Sequence, residues 1–212
     1  VFTDLVWVEH EIGGIRVDTH EWPQRELLVR LLPPGGVFLD VGAHVGLYTL
    51  ALAGKASRVV AVEPNPDAAA QLRANLALND ITNVDVLEAA AWDGAAPLNL
   101  SNPQPPTGEI SGWMRTLPAE DGQIWGQRLD VALDLDRLDL VKVDVEGADL
   151  HALRGMSGLL HEHRPVLFVE SHAVHGYYEL GELTDLIGSL GYSWEEGPAS
   201  GPAPFFVCYW KD

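Results

Sequence analysis

The stretch FLDVGAHVG, Phe38 to Gly46, is an apolar strand that stops on an acid and then turns through two glycines. The chain beyond it keeps one rhythm. GVFLDV leads into the helix HVGLYTLALAGK, which closes near Gly54, and RVVAVE supplies the next buried strand. Asn65-Pro66-Asp67 starts a second helix, with a capping side chain, a first-turn proline and an acid at the positive end of the dipole. That helix runs through DAAAQLRANLAL, and NVDVLEAAAW reads as a third strand. LDLVKVDVEG is a fourth strand, and ADLHALRGMSGLLHEH a helix with Leu150, Leu153 and Leu160 facing inward. RPVLFVESH is a fifth strand, YELGELTDLIGSLG a last helix, and YSWEEGPASGPAPFFVCYW two strands joined by a Gly/Pro-rich link. Strands alternating with helices predict an α/β fold. Its mostly parallel sheet is covered by helices on both faces and closed by an antiparallel C-terminal edge hairpin, with ligands at the carboxyl ends of the strands.

Two segments lie outside this rhythm. In DLVWVEHEIGGIRVDT, Asp4 to Thr19, apolar and polar residues alternate around Gly13-Gly14, a hairpin signal. WPQRELLVRLL then places Pro23 in a first helical turn and Leu27, Leu28, Leu31 and Leu32 on one face, so residues 1–36 are expected to form a hairpin and a helix. Residues 94–126 are rich in Pro and Gly and carry Trp113 and Trp125. They are expected to be an insertion, either a plain connection or a flap over the substrate. With no internal repeat, residues 1–212 are expected to be a single domain.

The formal charge is −18, from 31 acids against 13 bases, and such a surface repels phosphate backbones and anionic lipid. Neither nucleic acid nor a membrane is therefore the expected partner. The only cysteine, Cys208, lies in the apolar run FFVCYW and is expected in the core; one thiol permits neither an internal disulfide nor a multi-cysteine metal cluster. A reducing cytoplasm is the expected compartment.

The glycine turn is not a dinucleotide fingerprint. Counted from Gly42, G-x-G-x-x-G needs glycine at positions 44 and 47, where the chain has His44 and Leu47. Nor does the chain contain a P-loop. It keeps D-x-G-x-x-x-G, met by Asp40, Gly42 and Gly46. This turn suits a smaller zwitterion, such as the methionine end of S-adenosylmethionine, with Asp40 facing its ammonium. Glu63, 21 positions after Gly42, closes the second strand and can accept hydrogen bonds from both ribose hydroxyls. A tight strand-to-helix turn and an acid capping the helix at Pro66 are the plainer readings of the same residues.

FLDVGAHVGLYTLALA, VVAVEPNPDAAAQLRANLALN, LDLVKVDVEGAD and PVLFVE together resemble the FkbM-type S-adenosylmethionine-dependent methyltransferases, over about Glu21 to His172. The resemblance implies a Rossmann-like methyltransferase fold and, in most members, O-methylation of hydroxyls on natural products, glycans or related small molecules. It puts Asp40, Gly42, Gly46 and Glu63 at cofactor-binding positions, and Ala43, His44 and Asp144 complete the expected cofactor-binding set. His44 departs from the Asn associated with this motif, though an imidazole still offers a hydrogen bond.

Methyl transfer is an in-line displacement, so the protein mainly aligns the partners and removes the hydroxyl proton. Asp144 and Glu146 lie two apart in KVDVEG, on one face if the strand continues. Lys142 shares that face, and a structural ion pair is the alternative. Glu170 and His172 end the fifth strand, and histidine as a residue type ordinarily titrates near neutrality, which suits a general base. The catalytic candidates are therefore His172, Asp144 and Glu146. His10, His20, His151, His161 and His163 lack such placement and are expected on the surface. Asp144, Glu170 and His172 could instead converge on a divalent metal, although metal-free chemistry is the expectation.

Together these features predict a seven-stranded methyltransferase fold and an S-adenosylmethionine-dependent O-methyltransferase. Its expected acceptor is a hydroxyl of a small molecule: a natural product, sugar or glycan-like compound. The alternatives are N-methylation and a cofactor-binding module without catalysis.

Overall fold

Val37–Val41 is buried at all five positions, as a central parallel strand requires, and its side chains alternate between two cores. Val37, Leu39 and Val41 join one cluster, while Phe38 belongs to the other. The computed structural model of the chain describes residues 5–7, 11–12, 15–16, 20–101, 115–198 and 203–211.

In chain order, β1 (Glu11–Ile12) and β2 (Ile15–Arg16) pair antiparallel, as the expected hairpin would; Gly13 and Gly14 lie outside the described residues. Helix α1 (Trp22–Leu31) follows, then β3 (Val37–Val41), α2 (Leu47–Ala53), β4 (Arg58–Val62) and α3 (Pro66–Leu78). Asn65 caps α3 by accepting a hydrogen bond from the Asp67 amide at 3.0 Å. Next come β5 (Val84–Leu87), β6 (Ala90–Ala91), β7 (Ala96–Ser101), β8 (Arg115–Pro118), β9 (Ile124–Gln127) and the short α4 (Leu129–Ala132). The chain then forms β10 (Leu140–Val143), α5 (Asp149–Gly155), α6 (Ser157–His163), β11 (Val166–Glu170), α7 (Leu180–Ser189), β12 (Tyr192–Glu196) and β13 (Phe205–Trp210).

The main sheet has seven strands in the order β12-β13-β11-β10-β3-β4-β5. Pairs from β11 through β5 are parallel, and β13 joins antiparallel to both β11 and β12. This is the predicted Rossmann-like sheet with its antiparallel C-terminal edge. One face buries Leu153, Leu159, Leu160, Leu183 and Ile187 of the C-terminal helices; the other buries Leu28, Leu32, Tyr48 and Leu52 from the N-terminal ones. Strand order reverses between β10 and β3, the switch point where such sheets bind ligands.

Four sequence expectations are revised. NVDVLEAAAW is two strands: Val84–Leu87 extends the main sheet, and Ala90–Ala91 pairs with Gly126–Gln127 in a second, four-stranded sheet. The segment 94–126 is not a plain connection, because β7, β8 and β9 build that second sheet; 102–114, with Trp113, lie outside the described residues. Trp125 is 56% exposed. The fourth strand ends at Val143, and the following helix breaks in two at Met156.

Candidate active site

The carboxyl ends of β3, β4, β10 and β11 carry every candidate site residue. At the end of β3 the amides of Gly42 and Ala43 both donate to the Val62 carbonyl, at 2.9 and 3.0 Å, which draws the glycine turn over β4. Gly42 has φ +81°, and a Cβ there would stand 1.7 Å from the Asp144 carbonyl oxygen, so only glycine lets the two loops approach. Gly46 has φ +99°, and a Cβ there would press on Leu72 and Leu50 at 2.4 and 2.6 Å.

Glu63, at the end of β4, accepts from the His44 amide through Oε2 and from the Asn65 amide through Oε1, each at 2.8 Å. Burial pushes its carboxyl up to about 7 despite those two bonds. The His44 imidazole is half-buried, its Nε2 is enclosed without a hydrogen-bond partner, and burial lowers its pKa to about 4.

Asp40 does not reach the mouth of the turn. It is fully buried; its Oδ2 accepts from Thr49 Oγ1 at 2.6 Å, and Oδ1 lies 3.4 Å from Lys142 Nζ. Lys142 is the register partner of Asp40 on β10. Its ammonium also donates to the Gly42 carbonyl at 2.8 Å and stands 3.2 Å from Asp144 Oδ2. Burial works against this charge, yet Asp144 and Asp40 outweigh it and raise the lysine pKa. One buried cation thus ties the strand acid, the glycine turn and Asp144 together.

Asp144 and Glu146 meet by a different route from the expected one. Past Val143 the backbone turns, with Glu146 at φ +50° and Gly147 at φ +96°, and folds both carboxylates toward His172. His172 Nε2 stands 3.4 Å from Glu146 Oε2 and 3.7 Å from Asp144 Oδ1. Its ring is 3% exposed, so His172 is no surface residue. Nδ1 faces Asp149 Oδ1 at 3.1 Å, and Asp149 Oδ2 accepts from the Tyr178 hydroxyl at 2.7 Å. The same hydroxyl accepts from the His172 amide at 2.9 Å. Asp144, Glu170 and His172 each present one ligand atom, and these atoms lie within 4.8 Å of one another.

Burial opposes charge on His172, but Asp149, then Asp144 and Glu146, prevail and raise the imidazole to about 9. Burial, with Asp144 next, pushes the Glu146 carboxyl up to about 8 and that of Glu170 up to about 11. Burial also disfavours charge on Asp144, yet Lys142 and then His172 hold it below the usual carboxylate range.

Three of these residues were not singled out from sequence as parts of the site. Lys142 read only as an ion-pair partner. Asp149 and Tyr178, which orient the imidazole, gave no signal beyond an acid opening a helix and a tyrosine in a loop. Of the other described histidines, His161 is exposed, whereas His20, His151 and His163 are half-buried. His151 stacks on Trp92 with 3.8 Å between ring centroids. His10 lies outside the described residues.

A parallel sheet with a glycine turn after the strand at its switch point, and an acid closing the next strand, defines the Rossmann-like methyltransferase class. The methyltransferase FkbM domain family matches residues 40–194, and the chain belongs to that family. Methyltransferase sdnD of Sordaria araneosa is 28% identical over 164 residues, covering 59% of this chain and 62% of its own, so the chain spans less than two thirds of that relative. Among solved structures, methyltransferase FkbM from Methylobacillus flagellatus KT has a TM-score of 0.59 at 20% identity, covering 83% of this chain and 44% of its own. The Streptococcus mutans protein SMU.1697c, solved in complex with SAH, has a TM-score of 0.55 at 12% identity, covering 88% and 94%. At such identities these two structures support the fold alone.

Proposed function

We propose that the chain is an S-adenosylmethionine-dependent O-methyltransferase acting on a hydroxyl of a small molecule, such as a natural product, sugar or glycan-like acceptor. The observation that carries the reading is the adjacency of two half-sites. The Gly42–Gly46 turn with Glu63 lies beside the Asp144–Glu146–His172 cluster, and Lys142 bridges them by bonding Gly42 and pairing with Asp144.

The residues present fit the cofactor. His44 Nε2 is an enclosed polar atom with no partner at the turn where the methionine end would lie. Glu63, bonded at each oxygen to one amide, keeps further lone pairs for ribose hydroxyls. In this reading Gly42, Ala43, His44 and Gly46 hold the methionine end and Glu63 the ribose. Asp144 faces the sulfonium, and Asp40 supports the turn from below through Lys142. When bound, the cofactor supplies an activated methyl group on a sulfonium.

The chain's residues align the acceptor and receive its proton. With the cofactor bound, the cluster of His172, Asp144 and Glu146 would face the acceptor hydroxyl and would take up its proton. The charge of −18 on the chain speaks against a polyanionic acceptor. The expected setting is a reducing cytoplasm, with residues 1–212 acting as one unit and 94–126 bordering the acceptor.

Calorimetry with S-adenosylhomocysteine, followed by assays with labelled methyl donor and panels of hydroxylated sugars, polyketides and amines, tests this. Label on hydroxyls is the expected result. Label on amines alone would replace O- with N-methylation, and binding without transfer to any panel would leave a cofactor-binding module.

A further inference from the structure

We propose that Asp144, Glu170 and His172 form a site for a divalent cation of the magnesium–manganese class, placed to acidify the acceptor hydroxyl. Two oxygens and one imidazole nitrogen within 4.8 Å of one another can share a single ion. Hard oxygens with one imidazole suit Mg²⁺ or Mn²⁺, and three protein ligands leave positions for an acceptor oxygen and water.

The imidazole points independently to a ligand. His172 is 3% exposed and commits Nδ1 to the fully buried Asp149 at 3.1 Å. Nε2, the other nitrogen, makes no hydrogen bond among the described residues and aims between Asp144 and Glu146 at 3.7 and 3.4 Å. This carboxylate–imidazole arrangement is the pattern of metal-binding histidines, in which the acid on one nitrogen fixes the ring and leaves the other for the metal. Tyr178 locks it further by donating to Asp149 Oδ2 at 2.7 Å. Asp144, Glu146, Glu170 and Asp149 all gather around this imidazole, and Lys142 beside them is shared with Asp40. A dication would be held by Asp144, Glu170 and Nε2 of His172. Glu146, beside them but outside the three, would then receive the hydroxyl proton.

The role given to the cation rests on the methyl-transfer reading; the binding itself does not. The test is a Mn²⁺ titration of the chelator-treated chain, read by loss of the free-ion paramagnetic resonance signal. Wild-type protein should take up one tight Mn²⁺ displaced by Mg²⁺. Glu170→Gln and Asp144→Asn, each checked for folding by circular dichroism, should weaken it at least about tenfold, as changes around metal ligands commonly do. Absence of tight Mn²⁺ in the wild type overturns the proposal, as does undiminished binding in both folded variants. Parallel calorimetry with S-adenosylhomocysteine keeps the two readings apart. Tight Mn²⁺ without cofactor binding supports the site while sinking the methyl-transfer reading, and cofactor binding without tight Mn²⁺ does the reverse.

Discussion

The Asp149 carboxylate stands 3.1 Å from Nδ1 of His172, with neither side chain open to solvent. The acid selects which imidazole nitrogen faces Asp144 and Glu146 and holds the ring plane. Asp149→Asn keeps the volume but weakens that selection. Its kcat should fall about 10–100-fold, with Mn²⁺ affinity falling alongside. S-adenosylhomocysteine affinity should stay within about twofold, because Asp149 has no role at the glycine turn. Tyr178→Phe removes the hydroxyl's bonds to Asp149 and the His172 amide but leaves the Asp149–Nδ1 contact in place, and should cost less. Equal losses of cofactor affinity and rate in Asp149→Asn would point to general disruption instead.

Glu63 should carry the cofactor's ribose end. Hydrogen bonds to a charged group are worth about 1.5–3 kcal/mol, so Glu63→Gln should weaken S-adenosylhomocysteine roughly tenfold or more. Burial pushes the wild-type carboxyl up to about 7, with Lys142 lowering and Asp40 raising it. Cofactor affinity should therefore climb from pH 6 to 8 as the accepting anion forms. The same raised pKa has the opposite sign for the unliganded fold: its contribution is present at acid pH and lost as pH rises through about 7. Glu63→Gln should flatten both trends, and calorimetry across this range would reveal an unchanged slope.

Gly42 and Gly54 should respond oppositely to alanine. At Gly42 a Cβ meets the Asp144 carbonyl at 1.7 Å with φ +81°, and that backbone oxygen has no rotamer into which it can retreat. The left-handed conformation alone costs about 1–2 kcal/mol. With the clash added, Gly42→Ala should lower Tm by about 4–8 °C or more in a chain of this size and abolish cofactor binding. Gly54 ends α2 at φ −67° with nothing within 4 Å, so Gly54→Ala should be neutral or stabilising. Comparable melting shifts in the two variants would contradict this.

The sheet and the glycine turn were legible because buried strands, capped helices and paired glycines each leave a local pattern. Asp40, Gly42, Gly46 and Glu63 fall where that pattern puts them at strand ends. The carboxylate of Asp40 read as outward-facing because its partner Lys142 is 102 positions away, joined only through the β3–β10 register. Glu146 and Gly147 were hidden differently: acids two apart look like a continuing strand, and nothing local announces that Glu146 adopts φ +50°. In 94–126 the prolines masked the strands. Pro118 ends β8, an edge strand that tolerates a missing amide, while Pro97, near the start of β7, pairs with Trp125 of β9 and precedes the β8 pairing that starts at Leu98.

Cys208 should be inert in the native protein. It is fully buried between β11 and β12, and burial pushes its thiol up to about 12. The thiolate that reacts with disulfide reagents is then scarce and out of reach. Ellman's reagent should register no thiol under native conditions and one per chain in denaturant. Fast native labelling would mean that the edge hairpin opens readily.

Arg115 should influence the acceptor and leave the cofactor alone. Its guanidinium lies 3.5 Å over the ring of Tyr177, and that ring covers Gly147, where a Cβ would come within 2.2 Å. Glu146 precedes Gly147, and Tyr178, next to Tyr177, holds Asp149. Through this stack β8 of the second sheet braces the loops carrying the acid–imidazole cluster. A partly desolvated cation–aromatic contact is worth about 0.5–2 kcal/mol, so Arg115→Ala should raise the acceptor KM about 2- to 30-fold. S-adenosylhomocysteine affinity should be unchanged, because the contact lies on the β10–β11 side of the site, away from Glu63 and His44. Arg115→Lys, which keeps the charge but loses the flat stacking surface, should fall between wild type and alanine. A lower Tm with unaltered acceptor KM would reduce the second sheet to scaffolding, whereas a KM effect of this size would make residues 94–126 a wall of the acceptor site.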